Sequence, residues 1–210
     1  MLHQVNEQAA ESASRALSKL IDRPVEVGIS RADIKKVEDL SPLIDQEEVV
    51  AGIYLPVTGD VKGAALLIFP KETAFTLSDL LVKRESGTTR KLTELDESAL
   101  KKEVGNIISG SYLTVLSNVL QIKIVEHIPN FSFDMFGAIV SQIITDFAQK
   151  TENALVIEIE FLFKPQTFKG YFLLLFEVEQ LKAMLGSIAG VGGGGLKTFF
   201  AEFAGSTENN

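Results

Sequence analysis

The same order of helical and strand-like segments occurs twice along this chain of 210 residues. The pair Leu17-Ser18 recurs 99 positions later as Leu116-Ser117, and each pair leads from a helical pattern into a strand-like one. Further along, Lys62-Gly63 with the LLIF that follows matches Lys169-Gly170 with its LLLF, 107 positions apart. Self-similarity over such a distance indicates a duplicated structure. We therefore expect two halves related by a pseudo-twofold axis.

Hydrophobic spacing assigns the elements within each half. Helical spacing covers residues 2–20, 71–82, 96–120, 136–147 and 178–185. Strand-like runs cover residues 25–29, 48–55, 61–69, 122–125, 153–163 and 171–176. Because the strands come as neighbouring hairpins, this order predicts an α+β fold in which two long helices pack on a largely antiparallel sheet.

The predicted organisation is a single domain over residues 1–187, made of two repeats at about 1–90 and 91–187. The glycine-rich stretch 188–210 ends in polar residues, and we predict a mobile tail there.

Composition excludes several classes of protein. The net charge of −8 disfavours nucleic-acid and anionic-membrane partners, which need basic surface, and favours a partner with a basic patch. The absence of cysteine removes disulfides, thiolate catalysis and thiolate zinc sites. We see no signal sequence and no apolar run long enough to cross a bilayer, so we expect a cytoplasmic protein.

The long helix at residues 96–120 carries an unusual group of residues. Glu103 and Asn106 lie three positions apart on its polar face, together with Gly110. Asparagine is a poor residue in the middle of a helix, and Gly105 and Gly110 each cost about 1 kcal/mol relative to alanine there. These three residues destabilise a helix, so helix formation alone does not explain their presence. They clear the helix surface so that another molecule can approach, and Glu103 and Asn106 are the candidate site.

Other motifs carry less chemistry. His3 and His127 have no second ligand at helical spacing, and the acidic run Asp45, Glu47 and Glu48 lacks the alternation of a calcium loop. The run Gly190–Thr198 has Leu196 where a phosphate-binding loop needs lysine. We expect no metal site and no bound cofactor from these residues.

The segment ESALKKEVGNIISGSYLTVLSN resembles the CheC family of chemotaxis phosphatases. The family motif reads Asp or Ser, three residues, Glu, two residues, Asn, and then a proline after 22 more. Glu103, Asn106 and Pro129 match this spacing. The hairpin LPVTGDVKGAALLIF is also similar to that of the family.

The resemblance implies dephosphorylation of the phospho-aspartyl response regulator CheY. In that mechanism Asn106 would position the attacking water, and Glu103 would pair with the active-site lysine of the regulator. The Mg²⁺ would be on the regulator, so this chain would need no cofactor of its own. The receptor deamidase CheD is a second candidate partner.

This sequence departs from the family pattern in two places. Ala99 stands where the family has Asp or Ser, with Ser98 one position away. Family members usually carry the motif in both long helices, but the repeat offset puts Gln4 at the Glu position and Glu7 at the Asn position. Asn6 is one residue off, about 100° around the helix. We therefore predict one working site, on the second long helix.

Two alternatives to a phosphatase stay open. The first is a non-catalytic binding module on the same fold, similar to the middle domains of flagellar switch proteins or docking CheD. The second is an unrelated ligand-binding α+β protein.

Overall fold

A computed structural model describes residues 2–147, 150–151, 153–163 and 166–177. Its helices are α1 (Leu2–Ile21), α2 (Lys71–Leu81), α3 (Glu94–Ala99), α4 (Asn106–Leu120) and α5 (Phe136–Phe147), with a 3-10 helix at Val37–Leu43 and a π-helical segment at Leu100–Gly105. Its strands are β1 (Glu26–Lys36), β2 (Val49–Gly59), β3 (Gly63–Pro70), β4 (Ile124–Glu126), β5 (Asn130–Met135), β6 (Asn153–Phe163) and β7 (Gln166–Phe176). The predicted helix 178–185 and the predicted tail 188–210 lie outside the described residues.

All strands belong to one antiparallel sheet in the order β1-β6-β7-β3-β2-β4, and β5 pairs with β2 beside β4. This order is symmetric about the β3–β7 pair. Each outer strand of one half pairs with an inner strand of the other half, since β1 pairs with β6 while β4 and β5 pair with β2. The predicted α+β fold with pseudo-twofold halves is thus confirmed, while the domain boundaries stay a prediction.

The repeated sequence pairs have equivalent roles in the two halves. Leu17 and Leu116 are both fully buried. The hydroxyls of Ser18 and Ser117 each donate a hydrogen bond to a carbonyl just before the following strand, that of Val25 and that of Ile122. The repeated Leu-Ser pair therefore ties each long helix to the strand after it.

The two repeated glycines allow close approach of β3 and β7. A Cβ on Gly63 would lie 1.9 Å from the carbonyl oxygen of Leu175, and one on Gly170 would lie 2.7 Å from Cδ1 of Phe69. Real Cβ contacts are longer than this, so the central strand pair needs glycine in both halves.

The core has two parts, one on each face of the sheet. On one face, α1 and α4 pack side by side over the odd-numbered residues of β2, with α2 beside them. On the other face, α5 and the 3-10 helix cover the even-numbered residues, and Ile139, Val140 and Ile143 point inward as their spacing predicts. The structure therefore has three layers, and the second long helix belongs to the outer layer formed with α1 and α2.

Several element bounds differ from the sequence prediction. Strand β1 extends to Lys36 rather than 29, and β5 was not predicted at all. β5 carries the partly buried Phe131 and Phe133. These two apolar residues alternate with polar ones over too short a stretch to indicate a strand. None of the described helices is long and apolar enough to span a membrane.

Candidate functional site

Glu103 and Asn106 are both exposed on the second long helix. Val104 and Gly105, between them, are buried against the sheet. The two predicted site residues therefore face solvent, whereas the residues that separate them hold the helix in place. Glu103 lies in the π-helical segment, and Asn106 is the first residue of regular α4.

The π-helical segment fits the burial pattern of this helix. Leu100, Val104 and Ile108 are spaced by four and are all buried. Residues spaced by four drift around an α-helix of 3.6 residues per turn. A wider i→i+5 turn offsets this drift, so that all three side chains reach the sheet. The predicted single helix 96–120 is therefore interrupted by a π-helical turn at the candidate site. Such turns are frequent at functional sites.

The two glycines of the helix have different surroundings. A Cβ on Gly105 would lie 3.1 Å from Cγ2 of the buried Ile53, which is closer than most Cβ contacts. At Gly110, which is partly exposed, the nearest atom is Oε1 of Glu126 at an ordinary 3.6 Å. The interpretation that both glycines open the surface is wrong for Gly105, which serves packing, and is consistent with the position of Gly110.

A buried polar cluster anchors the start of this helix. Asp96 is fully buried and forms a capping box with Thr93 at the beginning of α3. Its carboxylate also accepts hydrogen bonds from the hydroxyl of Ser78 and from Nη1 of Arg84, the latter at 2.6 Å. Burial alone would raise the pKa of Asp96, but the bonds from Ser78, Thr93 and Arg84 outweigh it and lower the pKa to about 2. The carboxylate therefore stays charged and fixes the helix that leads to Glu103.

The first long helix presents other residues at the equivalent positions. Gln4 and Glu7 are exposed, as their places on the polar face require. Asn6 is partly buried, and its Oδ1 accepts a 2.9 Å hydrogen bond from the hydroxyl of Tyr112 on α4. Burial raises the pKa of Tyr112 above its usual value, so this hydroxyl keeps its proton. Asn6 thus joins the two helices instead of facing a partner.

One carboxylate beside α4 was not singled out from the sequence. Glu126 is the last residue of β4, and its Oε1 is the atom nearest to Gly110. Partial burial raises its pKa above the usual glutamate value. Only the contact between β4 and α4 distinguishes it, so no sequence pattern could have found it. Pro129 is partly buried between β4 and β5, where the outer strand is interrupted.

The two histidines are both exposed, and each contacts one polar side chain. His127 is exposed, and its Nε2 is 2.7 Å from the hydroxyl of Thr58. His3 is exposed, and its Nδ1 lies 3.7 Å from the carboxylate of Glu7, four residues along α1. The interpretation that His3 has no second ligand at helical spacing is therefore wrong. Among the described residues, no three His, Cys, Asp or Glu side chains converge as metal ligands would.

A cavity of about 330 Å³ lies on the opposite face of the sheet, between β5 and α5. Tyr54, Asp134 and Asp146 contribute polar groups, and Ile139 contributes to its apolar wall. The sheet separates this cavity from Glu103 and Asn106.

In sequence and in fold, this chain is similar to CheC-like proteins. The model of the CheC-like family matches residues 96–125, the segment that contains both candidate residues. The CheY-P phosphatase CheC of Bacillus subtilis (strain 168) is 29% identical over 161 residues, which are 75% of this chain and 77% of that protein. The resemblance to the CheC family is thereby confirmed.

Solved structures agree on the fold. The crystal structure of Thermotoga maritima FliY matches with a TM-score of 0.68 and 18% identity, covering 96% of this chain and 93% of that one. The FliM middle domain (51–229) from "Vibro alginolyticus" matches with a TM-score of 0.62 and 14% identity, covering 87% and 96%. CheX in the CheX-CheY-BeF3-Mg²⁺ complex from Borrelia burgdorferi matches with a TM-score of 0.52 and 18% identity, covering 81% and 96%.

Proposed function

We propose that this protein is a cytoplasmic phosphatase that hydrolyses the phospho-aspartyl group of a CheY-type response regulator, with one working site on the second long helix. The observation that carries the proposal is the exposure of both Glu103 and Asn106 within the segment that matches the CheC-like family. The similarity to the CheY-P phosphatase of B. subtilis supports the choice of substrate.

The proposed reaction is an in-line displacement at phosphorus. The oxygen of water forms a bond to phosphorus, and the bond from phosphorus to the aspartyl oxygen breaks. The aspartate of the regulator leaves as a carboxylate, and a proton of the water passes to the phosphate and solvent. Inorganic phosphate and the unmodified regulator are the products.

The side chains of this chain would supply orientation. The carboxamide of Asn106 can accept up to two hydrogen bonds and donate two, so it can hold a water molecule in line with phosphorus. The carboxylate of Glu103 would pair with a lysine of the regulator and fix the register of the two proteins. The Mg²⁺ that neutralises phosphoryl charge would be bound by the regulator and not by this chain.

The proposal is tested with Asn106→Ala and its matched control Glu7→Ala on α1. Orientation of a nucleophile contributes factors of about 100 or more. Asn106→Ala should therefore lower the rate of phosphate release, after the spontaneous rate is subtracted, at least about 100-fold. Glu7→Ala should leave it unchanged. Equal rates for Asn106→Ala and wild type would overturn the catalytic assignment.

A second candidate function is a non-catalytic binding module, and the similarity to a FliM middle domain favours it as the runner-up. The two functions differ in their dependence on phosphorylation. A phosphatase should bind the phosphorylated regulator more tightly than the unphosphorylated one, whereas equal capture of both forms together with no phosphate release would support the binding module.

A further inference from the structure

Glu126 lies on the same face of the sheet as the second long helix. In the β2–β4 register it is opposite Val57, whose side chain is buried under the helices. Residues directly opposite in an antiparallel pair point to the same side. The side chain of Glu126 therefore points toward α4, and its Oε1 lies 3.6 Å from the position of a Cβ on Gly110.

The carboxylate of Glu126 is partly buried without a partner. Among the residues that the structure describes, no hydrogen-bond donor or cation pairs with it, and the neighbouring His127 bonds to Thr58 instead. Burial of a carboxylate without a compensating partner costs free energy. The raised pKa of Glu126 has the same cause. A cation brought by another molecule would recover this cost.

The position of Glu126 connects it to the candidate site. Asn106 and Gly110 are four residues apart on regular α4, so they occupy successive turns of one face. Because Gly110 has no side chain, the helix leaves the carboxylate of Glu126 accessible beside Asn106. A partner that reaches Asn106 would thus meet an unpaired negative charge about one helical turn away.

We propose that Glu126 is a recognition residue, whose carboxylate receives a lysine or arginine side chain of the phosphorylated regulator next to Asn106. The inference rests on the proposed phosphatase function and extends it, since it assigns a second contact from a different element. A partly desolvated carboxylate with no internal partner is suited to this role, because pairing breaks no existing bond. The net charge of −8 favours the same basic partner surface.

The test compares Glu126→Gln with Glu158→Gln in the full chain. Glu158 is also partly buried in the sheet, but its neighbours in β6 place it on the face covered by α5. Glu126→Gln should raise KM for the phosphorylated regulator about tenfold, as expected for loss of a close charge pair, and should change kcat less than about twofold. It should also weaken the dependence of KM on salt. Glu158→Gln should change neither constant.

A second variant keeps the carboxylate of Glu126 but covers it with a larger side chain at position 110. Gly110→Leu should raise KM in the same direction, because the added side chain would lie over the carboxylate. Glu126→Gln should unfold at the same or a higher temperature than wild type, since it removes an unpaired, partly buried charge. A lower unfolding temperature, an unchanged KM, or a loss confined to kcat would each overturn the inference.

The test also separates this inference from the proposed function. If Asn106→Ala abolishes phosphate release and Glu126→Gln leaves KM unchanged, only the role of Glu126 is wrong. If Asn106→Ala retains full phosphatase activity, the catalytic site assigned to the second long helix is wrong, and the role of Glu126 beside that site fails with it. If wild type releases no phosphate from the phosphorylated regulator, the proposed function itself is wrong.

Discussion

The two long helices occupy equivalent places in a duplicated fold but present different surfaces. On α4 and the π-helical segment before it, Glu103 and Asn106 are exposed and Gly110 adds no bulk. On α1, the residue equivalent to Gly110 by the same offset is Glu11, and it forms a 2.8 Å ion pair with Arg15. One helix thus has an open polar face, and the other has a face covered by its own charges.

In the two long helices, the buried positions keep equivalent packing, whereas the exposed positions carry different residues. Leu17 and Leu116 are equally buried, and the serines after them make equivalent bonds. The exposed positions have no such constraint, because substitutions away from packing contacts change stability little. Asn6, one position before Glu7, binds Tyr112 at the interface between the two helices.

The largest expected effect is a loss of activity when the Glu-Asn pair is transferred from the second long helix to the first. In an Asn106→Ala background, we would introduce Gln4→Glu together with Glu7→Asn on α1. We expect activity to remain about 100-fold or more below wild type, because the Glu11–Arg15 pair covers the face where Gly110 is open. The measurement is phosphate release from phosphorylated regulator. Near-complete recovery would mean that the residue pair is sufficient without its surroundings.

The next effect concerns the anchor of the second helix. Asp96 is charged in the fold with its pKa lowered to about 2, below the usual 3.8. Its contribution to stability is therefore present above about pH 4 and is lost as the pH falls toward 2. Asp96→Asn should lower the free energy of unfolding at pH 7 by about 2 kcal/mol or more, since it leaves the guanidinium of Arg84 without its charged partner.

The control for Asp96 is Asp33→Asn, which removes a carboxylate from a surface pair with Arg31. Such pairs contribute less than about 1 kcal/mol. Urea denaturation between pH 2 and 7 should show a flatter acid dependence for Asp96→Asn than for wild type. An unchanged pH profile would contradict the role of this carboxylate.

A smaller effect distinguishes the two glycines by sign. Gly110→Ala should stabilise the protein by up to about 1 kcal/mol, because alanine favours the helix and its Cβ meets only Glu126 at 3.6 Å. Gly105→Ala should destabilise it by about 1 kcal/mol, because its Cβ would press on the fully buried Ile53. Thermal unfolding measures both. If the two variants shift the unfolding temperature in the same direction, the assignment of Gly105 to packing is wrong.

A last pair of variants tests the hydrogen bond between the two long helices, which should affect stability but not activity. Tyr112→Phe removes the hydroxyl that donates to Asn6 and should cost about 1 kcal/mol of stability. Asn6→Leu should cost more, about 1–3 kcal/mol, because it leaves a buried hydroxyl without an acceptor. Phosphate release per folded molecule should be unchanged in both. A specific loss of activity in Asn6→Leu would show that the first helix retains a functional role.

Much of the fold was predictable because its signals are local or repeated. Periodicity located α5 and β6 at their observed bounds, and the repeat predicted the symmetric arrangement of the halves. The exposure of Glu103 and Asn106 also agrees with their place on the polar face. The π-helical segment was not predicted, because it depends on how Leu100 and Val104 meet the sheet rather than on the intrinsic preference of the residues.

The sequence alone predicted the order of most helices and strands, their duplication and the helix on which the candidate site lies. These follow from hydrophobic periods and short motifs, which act over a few residues. Only the tertiary structure decided that Gly105 packs against Ile53, that Asn6 binds Tyr112 and that Glu126 lies beside Gly110. Each is a contact between elements distant in the chain. Such contacts depend on how helices and strands pack, and no local pattern records them.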